Sequence, residues 1–189
     1  MKYLFLSLLL CWVVPVQAQI HNPSQRFLEA GGGLADGTRT GKRDNAGRWL
    51  KVGFGKYGKK EGVWQGALLL QEKFYQLEQG GLLSVRQYAL DTSFTPKWIR
   101  SAGKQFYLSP AVGVLLGYEA AKDKLFFPAG DRGFSKWFVG FSGGLSGEWN
   151  FSNSLAGLGY ARATLLPSSR VQPFHFHYGI ALRFNFFGQ

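Results

Sequence analysis

The 189-residue sequence predicts an all-β fold: an eight-stranded antiparallel up-and-down transmembrane β-barrel at residues 19–189, behind an N-terminal signal peptide at residues 1–18. Three observations carry that prediction. The closing stretch "FHFHYGIALRFNFFGQ" sets Phe174, Phe176, Tyr178, Ile180, Leu182, Phe184 and Phe186 on one face of a strand and His175, His177, Gly179, Ala181, Arg183 and Asn185 on the other, because strand side chains repeat with a period of two. Comparable segments precede it, each roughly ten residues long, the length a tilted strand needs to cross a bilayer. Beyond residue 18 no apolar run approaches the roughly 20 residues of a membrane-spanning helix. A membrane location then demands a closed barrel, the other structure that satisfies every backbone group in lipid.

The leader "MKYLFLSLLLCWVVPVQAQ" has a basic start at Lys2, an apolar run from Tyr3 to Val14 and the small-residue site Val16-Gln17-Ala18 before Gln19. That order is a secretory signal, read by the Sec pathway and removed. Leu10 precedes Cys11, whereas a lipoprotein needs a small residue there. Cys11 is the sole cysteine and leaves with the leader, so the mature chain has no thiol, disulfide or thiolate metal site. This suits an oxidising envelope compartment. The expected destination is the outer membrane.

Strand by strand, "RFLEAGGGL" alternates Leu28, Ala30, Gly32 and Leu34 against Phe27, Glu29, Gly31 and Gly33. The polar, glycine-rich loop 36–47 follows. The second strand, "RWLKVGFGKY", puts Leu50, Val52 and Phe54 outward and Lys51, Gly53 and Gly55 inward; the third, Val63 to Tyr75, opposes Trp64, Leu68, Leu70 and Phe74 to Gln65, Ala67, Gln71 and Lys73. Leu69 is an exception on the polar side. The fourth, Leu82 to Thr92, alternates poorly. The fifth, "FYLSPAVGVLLGYEA", faces Phe106, Leu108, Val112, Val114, Leu116 and Tyr118 outward against Ser109, Ala111, Gly113, Gly117 and Glu119, with Pro110 expected at an edge or bulge. The sixth carries Trp137, Val139, Phe141, Leu145 and Trp149 against Gly140, Ser142, Gly144, Ser146 and Glu148; the seventh covers Leu155 to Leu166.

Connections 36–47, 76–81, 120–133 and 167–173 are longer or more charged than those at 58–62 and 150–154, which suits outward loops and periplasmic turns; 93–104 breaks the pattern. Trp49, Trp64, Trp98, Trp137, Trp149 and Phe186 fall near strand ends, where aromatic girdles form. Glycine (26 residues) and aromatics (16%) are plentiful, and mean hydropathy is −0.09. The net charge of +11 falls to +10 without Lys2. Its basic residues are scattered, with no basic helix or stripe, so no direct nucleic-acid binding is expected. The spacing His177-x-Gly179-x-x-Leu182-x-Phe184 resembles the C-terminal assembly signal of outer-membrane barrels, except that Phe187-Gly188-Gln189 extends beyond it.

The stretches "GGGLADG", "FYLSPAVGVLLGYE", "DKLFF", the glycine-rich sixth strand ending in Glu148, and "HYGIALRF" together resemble the TraO conjugal-transfer proteins of Bacteroidota conjugative transposons. The resemblance spans nearly the whole mature chain through diffuse motifs. It implies a small outer-membrane component of a conjugative DNA-transfer apparatus, with outer-membrane lipids and other transfer proteins as partners. It brings no catalytic residues with it.

The residues themselves offer little chemistry. His175 and His177 are spaced to present two imidazoles to a metal from one strand face, but a third ligand from Glu29, His21 or Glu148 is not aligned by sequence. Ser168 and Ser169 lie near His175 without a motif for acyl transfer. "GGG" and "GFGKYGKK" precede no helix bearing a Lys-Ser/Thr pair, so they read as tight strand positions rather than phosphate cradles. We expect no cofactor, metal or catalytic residue and therefore no enzyme. The candidate lumen charges are Glu29, Lys51, Glu119, Glu148 and Arg183, with Lys73 and Arg162 beside them; an eight-stranded interior is filled by such side chains. The candidate exposed-loop contacts are Arg39, Lys42, Arg43, Lys122, Lys124 and Arg132. A general barrel for adhesion or lipopolysaccharide binding through its basic loops, or a lipid-modifying enzyme, are the alternatives.

Overall fold

A computed structural model describes residues 24–37, 47–59, 62–76, 82–121, 134–169 and 172–186. The signal-peptide reading and the six candidate loop contacts lie outside these residues. The described strands are β1 (Arg26–Ala35), β2 (Gly47–Tyr57), β3 (Val63–Gln76), β4 (Leu82–Thr95), the two-residue β5 (Ile99–Arg100), β6 (Phe106–Ala121), β7 (Phe134–Asn150), β8 (Leu155–Leu165) and β9 (Phe174–Phe186). All pair antiparallel in the order β4-β3-β2-β1-β9-β8-β7-β6-β5, and β4 also pairs with β6. That last pairing closes an eight-stranded barrel, with β5 a short accessory to β6. Closure removes the free edges that an open sheet would leave.

The period-two pattern has become an inside-out protein. On β9, Ile180 is 75% exposed while Arg183, three residues on, is 3% exposed. The outer wall is a continuous apolar belt that includes Leu50, Leu68, Val112, Val139 and Leu182, far larger than a water-facing monomer tolerates. The inner wall carries the buried charged and polar side chains and the small residues, with large apolar side chains in places. This is the division a barrel adopts when its solvent is lipid.

Several expectations need correction. β4 runs to Thr95 rather than Thr92 and alternates cleanly, with Val85, Gln87, Ala89, Asp91 and Ser93 inward. Its sequence hid this because apolar Val85 and Ala89 point in while charged Arg86 points out. Leu69 keeps the inward parity of its strand and packs against Ala89, Leu115, Phe138 and Leu166, so part of the lumen is apolar. Phe74 has outward parity yet is buried. Trp49 belongs to no girdle: it sits inside, its indole N–H donating to the Tyr178 carbonyl (3.3 Å) and its ring edge-on to His177. Trp64, Trp98, Trp137, Trp149 and Phe186 are exposed.

Pro110 falls where β6 has no neighbour on one side. Leu108 is the last residue paired with β5 and Val112 the first paired with β4. A residue without an N–H costs no ladder bond there. The glycines of "GGG" are a close-approach device: a Cβ on Gly33 would overlap the Tyr178 carbonyl oxygen, and one on Gly179 would overlap the Gly32 carbonyl and meet Trp49 at 2.7 Å. Glycine is what lets Trp49 lie against the β1–β9 seam.

Candidate functional site

Both ends of β1 and β9 fix the geometry of the lumen. At the end bearing the short connections, Arg183 pairs across the seam with Glu29. Its guanidinium donates from Nε and Nη2 to Glu29 Oε2 (3.1 and 2.8 Å) and from Nη1 to Glu148 Oε2 (2.7 Å) and the Tyr57 hydroxyl (3.1 Å). Lys51 Nζ lies 2.8 Å from Glu29 Oε1. Lys97 Nζ donates to Glu148 Oε2 at 2.6 Å and stands 4.2 Å above the Tyr107 ring. Each buried charge thus meets an opposite charge, the condition under which ions tolerate burial. The Arg183 plane also covers the Phe27 ring at 4.2 Å, and Phe27, Tyr57 and Val63 pack together around it.

Lys97 explains the connection that broke the loop asymmetry. The segment between β4 and β6 runs along the edge of β6 through β5, with Trp98, Ile99 and Arg100 exposed, and sends the Lys97 side chain into the floor.

Midway up, Arg162 holds Asp91 at 2.5 Å. Toward the long-loop mouth, His177 contacts Gln71 Oε1 through Nε2 (2.6 Å) and Thr164 through Nδ1 (3.3 Å), while Gln87 and Ser169 both donate to Glu119 Oε2 at 2.8 Å. At the mouth itself Asp36 leaves β1 in the left-handed region, at φ 59°, a conformation Asp accepts better than most residues. Its backbone N–H reaches the Phe176 carbonyl, and its carboxylate accepts from the Phe176 N–H (2.6 Å) and from Lys73 Nζ (2.7 Å), with His175 Nδ1 at 2.7 Å. Lys73 also donates to Gln172, and the Tyr178 hydroxyl to the Gly37 carbonyl. Partial burial pushes the Asp36 carboxyl up, but the His175, Lys73 and Phe176 hydrogen bonds outweigh it and hold the group well below the usual carboxylate range.

Between these layers the lumenal voids beside Leu69, beside Gln65 and beside Trp49 measure about 10, 10 and 30 Å³. The first two have room for about one water molecule each and the third for about two.

Four of the five candidate lumen charges, Glu29, Lys51, Glu148 and Arg183, therefore come together in one floor network; Glu119 stands apart near the mouth. His175 and His177 stack at 6.2 Å but turn to different partners, and Glu29 sits at the level of Arg183, six residues along β9 from His177. Among the described residues no three His, Cys, Asp or Glu side chains are grouped to hold a metal ion. The Ser169 hydroxyl is committed to Glu119, and His175 Nδ1 to Asp36. The sequence reading missed Asp36, Asp91 and Lys97. For Lys97 a signal existed, the anomalous length of its connection; Asp36 and Asp91 carried none, since Asp36 shares its loop with Asp44 and Asp91 is a lone acid in a weak strand.

The fold is shared with solved outer-membrane proteins. Neisserial surface protein A is similar over 89% of this chain and 100% of its own, at TM-score 0.64 and 8% identity. A major outer membrane protein of Thermus thermophilus matches at TM-score 0.57 and 12% identity, covering 87% of this chain and 100% of that one. The attachment invasion locus protein Ail of Yersinia pestis, solved with the heparin analogue sucrose octasulfate, matches at TM-score 0.54 and 10% identity with the same coverage. No curated protein matches the sequence significantly. The family model for the conjugative transposon protein TraO matches residues 22–186, ending on the last residue of β9, and the chain belongs to that family.

Proposed function

We propose that the protein is a non-enzymatic outer-membrane component of a conjugative transfer apparatus, exported with its leader removed, and that it works through its long-loop surface. The observation that carries this reading is the family match over residues 22–186 on a barrel whose lumen is packed with paired charges. Among the described residues, a lumen so filled leaves little room for a transported solute. Specificity then belongs to loops, where a rigid scaffold presents variable side chains. We assign that surface to the connections holding Arg39, Lys42, Arg43, Lys122, Lys124 and Arg132, which lie outside the described residues, with other transfer proteins as its partners.

The test is mating frequency in three strains: wild type, a deletion, and a His175→Ala, His177→Ala double variant checked for folding. Transfer falls in the deletion strain and persists in the double variant if the reading is right. Normal transfer by the deletion overturns the conjugative role. Failure of a folded histidine variant would restore a chemical role for those side chains.

A further inference from the structure

On the outer wall near the long-loop mouth, three charged residues form a rung across neighbouring strands. Arg48 of β2 pairs with Glu72 of β3, which pairs with Arg86 of β4. Arg48 grips Glu72 Oε2 through Nε (3.0 Å) and Nη2 (2.6 Å), and Arg86 Nε holds Oε1 at 3.1 Å. The carboxylate is set back, 15% exposed, while the arginines are 74% and 63% exposed. Arg86 also hydrogen-bonds Tyr88, and the two exposed guanidiniums, anchored on Glu72, retain further N–H groups that no described residue is shown to take up, with a net charge of +1 for the rung.

One rung toward the membrane, about 7 Å away along the strands, lie Leu50, Leu70 and Tyr88, with Tyr118 and Trp137 in edge contact at 5.5 Å beside them. Tyr and Trp mark the interface between headgroups and chains. The arginines are therefore at headgroup level. Below them, the outward side chains of this row and the next, among them Leu50, Val52, Leu68, Leu70, Leu90 and Leu116, border a shallow, open and almost wholly apolar groove on the outer wall.

We propose that this face is a binding site for a phosphate-bearing, multiply acylated glycolipid of the outer leaflet, with Arg48 and Arg86 on its phosphate and the groove on its acyl chains. It rests on the reading that the barrel lies in the outer membrane with its long loops outward. Charge complementarity selects the occupant. A transmembrane segment of a partner would meet the groove but leave two arginines facing nothing, whereas a guanidinium pair suits phosphate oxygens.

The test is native mass spectrometry of the full mature protein in detergent, loaded with bisphosphorylated lipid A, dephosphorylated lipid A, or phosphatidylglycerol. The wild type retains the phosphorylated glycolipid about tenfold or more better than the other two, and Arg48→Ala with Arg86→Ala abolishes that preference, as loss of two charge-assisted contacts requires. Leu68→Trp, which fills the groove, lowers retention of both lipid A forms. Equal retention by wild type and the double arginine variant, indifference to phosphate, or a lipid-free dimer on this face overturns the proposal. Heat-modifiable migration on gels is read in parallel. If the variant loses it, the wild-type comparison of phosphorylated and dephosphorylated lipid decides; a wild type that lacks it and stays soluble without detergent refutes the membrane reading instead.

Discussion

Two regions of the same lumen are closed by different physics. At the floor, Glu29, Lys51, Lys97, Glu148 and Arg183 interlock through ion pairs of 2.6 to 2.8 Å. On the β3–β4–β6–β7 side, Ala89, Leu115, Phe138, Leu166 and Leu69 fill the space by shape alone. Hydrophobic packing tolerates exchange at constant volume. A buried charge network does not, because deleting one member leaves its partners charged and dry. A barrel turned inside out therefore keeps an ordinary core over one part of its lumen and a polar one where opposite charges face each other.

The largest expected effect breaks the floor. Glu29 is the carboxylate that both Lys51 and Arg183 bind, so Glu29→Gln leaves three cations facing Glu148 alone and costs about 3–5 kcal/mol. Equilibrium unfolding in urea from lipid vesicles, followed by the gel-shifted folded band, measures it; a loss under ~1 kcal/mol would mean that the floor is wet enough to screen its charges.

On the apolar side, Leu115→Ala opens a cavity and costs about 2–5 kcal/mol, whereas Leu115→Met keeps the volume and costs under about 1.5. The same unfolding assay separates the two. Equal losses for Ala and Met would place polarity rather than packing in control there, and erase the contrast with the floor.

Lys97→Met is smaller than Glu29→Gln, about 1.5–3 kcal/mol, since Glu148 keeps Arg183 when the lysine goes. The segment between β4 and β6 should then loosen from the barrel. Limited proteolysis within residues 96–105, applied to the folded variant, reports the release.

The smallest effect concerns the mouth. Asp36 has its carboxyl held below the unfolded value of about 3.9, so its contribution is complete above that pH and is lost as acid brings the group through its folded pKa. Asp36→Asn therefore weakens folding at neutral pH and flattens the stability profile below about pH 4. An unchanged acid limb would show that Asp36 does not couple folding to protons.

How much of this was legible beforehand depended on whether neighbours along the chain or across the sheet supply the information. The period of two in "FHFHYGIALRFNFFGQ" and in β6 set which residues face out, since alternation is a property of the local backbone. The lengths of the segments and the absence of long apolar runs pointed to a closed barrel. Parity even placed Leu69 inward, where its apolar character looked anomalous. β4 was weak for the converse reason: charged Arg86 lies on the outer wall and Ala89 inside an apolar patch, so chemistry and parity disagreed there until the neighbouring strands were in place.

The strands, their faces and the barrel they close were thus written in the order of residues along the chain, because they follow from backbone periodicity and from what lipid requires of hydrogen-bonding groups. The partnerships were not, and emerged with the folded barrel: Arg183 with Glu29 and Glu148, Asp36 with Lys73 and His175, Lys97 sent into the floor, and Arg48 with Arg86 around Glu72. These join residues as many as 154 positions apart, and their geometry comes from strand register and barrel closure, which no local pattern along the chain encodes.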